Sequence, residues 1–447
     1  MKKIYSNQCW VDNKLQAATI SIENDIITGV DYKKQEDAED VGDSILMPGV
    51  IDVHVHINEP GRPDWEGFDT ATKASAAGGI TTIVDMPLNS VPVTTNLSGF
   101  NDKLFASVSQ LHINCGFYGG LIPGSSNHLE DLIDAGVLGI KCFLTHSGIE
   151  EFPNVTEKDL DKAMPIIAKH NIPLLVHCEI VDKEVDGDPI AIGFENNPTS
   201  YKHFLASRPK QWESDAIDLM IRLCRKHNCR VHIVHVSSAE SLKKIVKAKQ
   251  EGLPVTAETC PHYIYFNAED IPDAHCIYKC APPIRDKKNN DLLRQALQNE
   301  ILDFISSDHS PAPPDIKEIE TGNLKKAWGG IAGLQFLLPA SWTALKENIS
   351  LEKFIPLITS QPAKFINEKN RGEIKPGNYA DLVIWDPNEK GKVNEEDILF
   401  RHKISPYIGE ELFGTIQQTI VNGETVFQEG QIINQNKGKW LLRRQEK

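Results

Sequence analysis

No stretch of this 447-residue chain approaches the roughly 18 to 20 consecutive apolar residues that span a bilayer, so a membrane-crossing helix is not expected. The start, MKKIYSNQCWVDNK, has Lys2 and Lys3 but no apolar segment of signal-peptide type behind them, and the expected compartment is the cytoplasm. Basic residues are also short. Lys and Arg number 47 against 62 Asp and Glu, and the net charge of −15 repels phosphate backbones and anionic lipid surfaces. Nucleic acid and membrane are therefore not expected partners. The nine cysteines are odd in number, scattered, and lack a paired CxxC spacing, so they read as reduced thiols rather than a disulfide framework or a cysteine zinc site. Low-complexity tracts and internal repeats are absent too.

What remains is a globular composition, 40% hydrophobic and 24% charged, with apolar content enough for a sizeable core. At roughly 150 residues per domain the length allows up to about three domains, or one large α/β barrel. Apolar runs of strand length recur at about 50–57, 80–86, 113–118, 138–144, 172–178, 230–236, 254–259 and 301–307, with helix-patterned segments between them. Eight alternating units predict a (β/α)8 TIM-type barrel over residues 49–372. The flanks differ: residues 1–48 and 373–447 alternate with period two and carry turn signals such as Asn422-Gly423, and predict a small β-sandwich domain built from both chain ends.

Fourteen of the fifteen histidines lie between His54 and His309, which confines any histidine chemistry to the barrel. In VIDVHVHIN, His54 and His56 alternate with Val53, Val55 and Ile57, so period-two geometry puts both on one strand face, where they can share a metal. His177 closes the apolar run LLVH, His235 closes HIVH, and Asp308 directly follows DFISS. Each alone is compatible with a core histidine or a helix-capping carboxylate. Together they stand at the C-terminal ends of strands one, five, six and eight, the rim where barrel enzymes place their chemistry, and the set suits a two-metal hydrolase. His232, three residues before His235, falls on the opposite face and is assigned to packing. Lys141, inside the apolar strand LGIKCFL, is a costly place for a bare ammonium; as a neutral amine it can take up carbon dioxide and become a carbamate able to bridge two cations.

These residues resemble the amidohydrolase superfamily, in particular its cyclic-amide branch of dihydroorotases, hydantoinases and allantoinases. Within the branch, HVHINEPGRPDWEGF, GGITTIVDMPLNSVP, GIKCFLTHSGIEEFP, CPHYIYF, KCAPPIRD, SDHSPAPPDIK, KAWGGIAGLQ and RHKISPYIGE are most similar to the allantoinases, and the likeness covers nearly the whole chain. The resemblance implies a pair of zinc ions. His54, His56 and Asp308 would hold the more buried one, His177 and His235 the second, and N6-carboxylated Lys141 would bridge them. It also implies Asp308 as the catalytic proton carrier, a homotetramer, and a small-molecule substrate, allantoin, opened to allantoate in purine degradation.

Dihydroorotases resemble one another in answering a substrate carboxylate with an arginine, an asparagine and a histidine at positions occupied here by Asn58, Ala281 and Ala312. Losing charge-assisted bonds worth about 1.5 to 3 kcal/mol each disfavours a carboxylated ring, unless Arg62 or Lys279 reaches in from a loop. Hydantoinases typically carry a tyrosine where this chain has His146. A neutral ring with a ureido arm suits amide partners, and Asn58 and Asn89 are the candidate substrate-binding side chains. A dihydroorotase, a hydantoinase or dihydropyrimidinase, and a metal-free scaffold relative remain as alternatives.

Overall fold

The computed structural model describes residues 1–181 and 193–443. All eight expected barrel strands form: Val50–Val55, Ile80–Asp85, Asn114–Phe117, Ile140–Phe143, Leu174–His177, Val231–Ile233, Val255–Thr259 and Phe304–Ile305. Neighbours run parallel, as buried strands joined by helical crossovers must. The ring closes between its first and last members, where Val55 bridges His309 and the His56 amide donates to the His309 carbonyl at 2.8 Å.

The outer helices follow from sequence in the same way. Glu157–Lys169 begins at a capping box between Thr156 and Asp159 and buries Leu160, Ala163, Met164 and Ile167, one stripe at helical spacing. Lys210–His227 follows Pro209, ends on Asn228 in the left-handed conformation, and carries Arg225, Lys226 and His227 in its last turn, where they complement the helix dipole.

Both chain ends share one nine-stranded sheet. Its junction is the antiparallel pairing of Ile45–Pro48 with Leu382–Trp385, Met47 opposite Val383. Ile4, Ile20, Leu46, Leu382, Ile384 and Ile420 gather into a core of their own. The Asn422-Gly423 turn has φ of 50° and 82°, the pattern of a tight hairpin, and a Cβ at Gly423 would meet the Asn24 carbonyl oxygen at 1.9 Å.

Two details differ from the strand pattern read along the sequence. The third barrel strand is split: Asn114–Phe117 pairs with the second strand, whereas Gly119–Gly120 pairs with the fourth. Beside the first half of that split strand, Trp440–Leu441 adds in parallel, opposite Cys115 and Gly116. Residues 440–441 thus pair with the barrel and not with the flanking sheet.

Candidate metal centre

The C-terminal ends of the strands bring His54, His56, Lys141, His177, His235 and Asp308 to one cavity of about 640 Å³. His54 Nε2 lies 3.1 Å and His56 Nε2 3.5 Å from the same oxygen, Asp308 Oδ1. A metal ion fits the spacing of these three buried side chains. Across the cavity, His235 Nε2 faces His177 Nδ1 at 2.9 Å, and the His54 and His235 rings are 5.5 Å apart. The Lys141 ammonium group is fully buried, with no hydrogen-bond partner among the described residues, 5.0 Å from the centre of the Phe143 ring.

Behind these side chains stands a layer of acceptors. His54 Nδ1 lies 2.5 Å from Glu258 Oε1, which leaves Nε2 turned toward Asp308. Glu258 also accepts from Ser306 Oγ at 2.8 Å and lies 3.3 Å from His232 Nε2. His177 Nε2 is 2.9 Å from Glu179, whose carboxylate is paired with Arg208. A ring nitrogen occupied by a carboxylate fixes the tautomer and frees the other nitrogen as a ligand.

The electrostatics are those of a site that attracts cations. Burial opposes charge on His54, yet the carboxylates of Asp308 and Glu258 raise it to about 9. Burial alone would push the Asp308 carboxyl up, but His54 first, then His56 and His235, hold it well below the ordinary carboxylate range. Burial depresses His56 to about 4 and Lys141 to about 8, and with His177 alongside it carries His235 well down. Unprotonated nitrogens on His56 and His235 and a lysine that readily loses its proton suit metal coordination and carbamate formation, whereas His54, charged beside its two carboxylates, must release a proton when an ion binds.

The model of the amidohydrolase family matches residues 45–426. The chain belongs to that family. It is 41% identical to an allantoinase from Arabidopsis thaliana over 96% of this chain and 88% of the relative. It is 45% identical to a protein of Aquarana catesbeiana named "Allantoinase, mitochondrial", covering 77% of this chain and 70% of that one. Among solved structures it is similar to L-hydantoinase (dihydropyrimidinase) from Arthrobacter aurescens, with a TM-score of 0.91 at 28% identity, covering 99% of this chain and 100% of that one.

In this amidohydrolase the two asparagines read from sequence occupy different places. Asn89 lines the cavity, but its side-chain nitrogen is 3.2 Å from His56 Nδ1, so it orients a histidine. Asn58 is wholly buried, its side chain reaches only the Pro311 carbonyl, at 3.4 Å, among the described residues, and it does not line the cavity. Glu258, Glu179 and Arg208 escaped the sequence reading altogether. His232, read as packing, stacks on Phe304 and hydrogen-bonds Thr256, and its Nε2 is held beside Glu258.

Proposed function

We propose that this protein is an allantoinase, hydrolysing the ring amide of allantoin to allantoate. The observation that carries this reading is its likeness, at 41% identity across most of both chains, to a protein of that name. The cavity supports it. Arg62 and Lys279, the cations able to replace a missing carboxylate anchor, are both engaged: Arg62 binds Glu151 and the Asn89 carbonyl, and Lys279 gives its ammonium to the Ala327 and Lys325 carbonyls. Arg208 is likewise paired with Glu179. A neutral ring is favoured over one carrying a carboxylate that would lose its hydration.

Two zinc ions per chain fit the residues present. His54, His56 and Asp308 would hold one, His177 and His235 the other, and carboxylated Lys141 would bridge them; the orphaned, buried Lys141 amine supports that last assignment. When bound, such ions lower the pKa of water and polarise the amide carbonyl. Asp308, placed against both His54 and His56, takes the proton of the attacking water as the new C–O bond forms. It returns that proton to the ring nitrogen as the C–N bond breaks. Asn89 and Glu258 hold the rings of His56 and His54 in the orientations this needs.

The same reading includes a homotetramer and a cytoplasmic location; among the described residues no helix is long and apolar enough to cross a membrane. The deciding experiment compares kcat/KM for allantoin, hydantoin, dihydrouracil and dihydroorotate under one buffer and metal condition. Allantoin is expected to lead, with dihydroorotate opened poorly or not at all. A dihydroorotate preference would overturn the substrate assignment and leave the metal assignment standing.

A further inference from the structure

Asp308 belongs to a second group of potential ligands. The end of the seventh barrel strand, Val255–Thr259, runs directly into Cys260 and then His262, and their ligand atoms and one from Asp308 all lie within 4.8 Å of one another. Cys260 and His262 are buried, at 0% and 1% exposure, and neither lines the catalytic cavity, whereas Asp308 does. The group therefore sits behind the carboxylate as seen from the substrate side. His262 Nε2 is fully buried and has no hydrogen-bond partner among the described residues, a costly state for a ring nitrogen unless something else satisfies it.

One thiol, one imidazole and one carboxylate form a donor set for a soft or borderline divalent cation, with a fourth position open in a tetrahedral arrangement. Sulfur makes this set unlike the neighbouring one, where His54 and His56 supply nitrogen and Asp308 oxygen.

We propose that Cys260, His262 and Asp308 form an additional binding site for a thiophilic divalent cation, such as surplus zinc or cadmium, and that its occupation inhibits the enzyme by drawing the Asp308 carboxylate away from His54 and His56. Binding exchanges the thiol proton for the metal–sulfur bond, the proton passing to solvent, since a coordinated thiol is deprotonated outright. The ion enters past Asp308, the one member of the group that touches the cavity. The inhibitory consequence rests on the roles given to Asp308 above; the binding site itself does not.

The test is a cadmium titration of the metal-replete protein, reading the ultraviolet thiolate-to-cadmium charge-transfer band, total zinc plus cadmium by elemental analysis, and activity. Wild type is expected to develop the band, gain one further ion per chain, and lose turnover as it does. Cys260→Ser should lose the band, and His262→Gln should shift it to at least ~10-fold higher free cadmium, both keeping the metal content with which they were purified. Absence of the band in wild type, or a band and ion count unchanged in both variants, overturns the site. A protein that forms the Cys260-dependent band but opens no cyclic amide would sustain the site while refuting the proposed reaction.

Discussion

Glu258→Gln is the sharpest probe of how the candidate centre is held together. The substitution keeps the shape of a side chain that is fully buried and removes its charge. Glu258 receives His54 Nδ1 at 2.5 Å and Ser306 Oγ at 2.8 Å, with His232 Nε2 at 3.3 Å. An amide can accept through one atom only, so either His54 or the Ser306 and His232 pair faces an NH2 group. Loss of such support behind a metal-binding histidine typically costs 10- to 100-fold in affinity, or about 1 to 3 kcal/mol. The assay is metal retention during dialysis against a graded chelator, with thermal melting of the stripped protein across pH. In the stripped wild type, His54 is raised from 6.5 to about 9. Its contribution to stability is complete below pH 6.5 and disappears as pH rises through about 9. In Glu258→Gln one of the two carboxylates that raise it is gone, so that fall in stability should shrink and shift to lower pH. Equal chelator resistance together with an unchanged melting profile from pH 6.5 to 9 would refute the supporting role.

Lys141→Ala should abolish turnover and paired-metal loading, with partial rescue by short-chain carboxylic acids; full activity in the variant would remove the bridge from the mechanism. Because burial sets Lys141 at about 8, reconstitution of stripped protein with zinc at a constant concentration of dissolved carbon dioxide should slow about tenfold for each pH unit below that value, as the neutral amine is depleted, and a rate flat from pH 6 to 8 under that condition would contradict the carbamate. Asp308→Asn should lower kcat by roughly 10²- to 10⁴-fold in metal-replete protein, far more than it depresses folding, and an unaltered kcat would exclude it from proton transfer. Asn89→Ala should weaken metal retention through His56, whereas a rise in KM at unchanged metal content would assign Asn89 to the substrate.

The barrel was legible because strands buried on both faces must be written as continuous apolar runs, and eight such runs appear in order. The histidines stood out because His54 and His56 are polar residues inside one of those runs, and period two fixes their common face. Glu258 had no such contrast. It sits among small and polar neighbours in VTAETC, and its partner His54 is 204 residues away, so its meaning exists only after the first and seventh strands come together. Asn89 was legible as a candidate substrate contact, but its place beside His56 was hidden for the same reason, since that contact spans 33 positions. The return of Trp440–Leu441 to the barrel was hidden because two residues carry no periodicity, and the place they take exists only once the third strand is split.

Backbone strain at the site gives a reason why the side chains converge where the strands end. His235 and Asp308 adopt φ of 42° and 46°, and Asn58 and Asn89 adopt 68° and 66°. Asparagine visits this left-handed region at modest cost, but for histidine it is uncommon and unfavourable by roughly 1 to 2 kcal/mol. An extended continuation after Ile233 would carry the next side chains alternately inward and outward along the barrel wall. The left-handed turn at His235 breaks that alternation and brings its Nε2 to 2.9 Å from His177 Nδ1. Asp308 turns likewise after the last strand, placing one oxygen within 3.5 Å of two histidines on the first. Such conformations persist only where surrounding structure over-determines them. Here the closed ring does so, with the His309 carbonyl bonded to the His56 amide immediately after the strained Asp308. Closure of the barrel and the geometry of the centre are therefore coupled in the folded state: the hydrogen bond that joins the last strand to the first adjoins the residue whose carboxylate lies against the histidines.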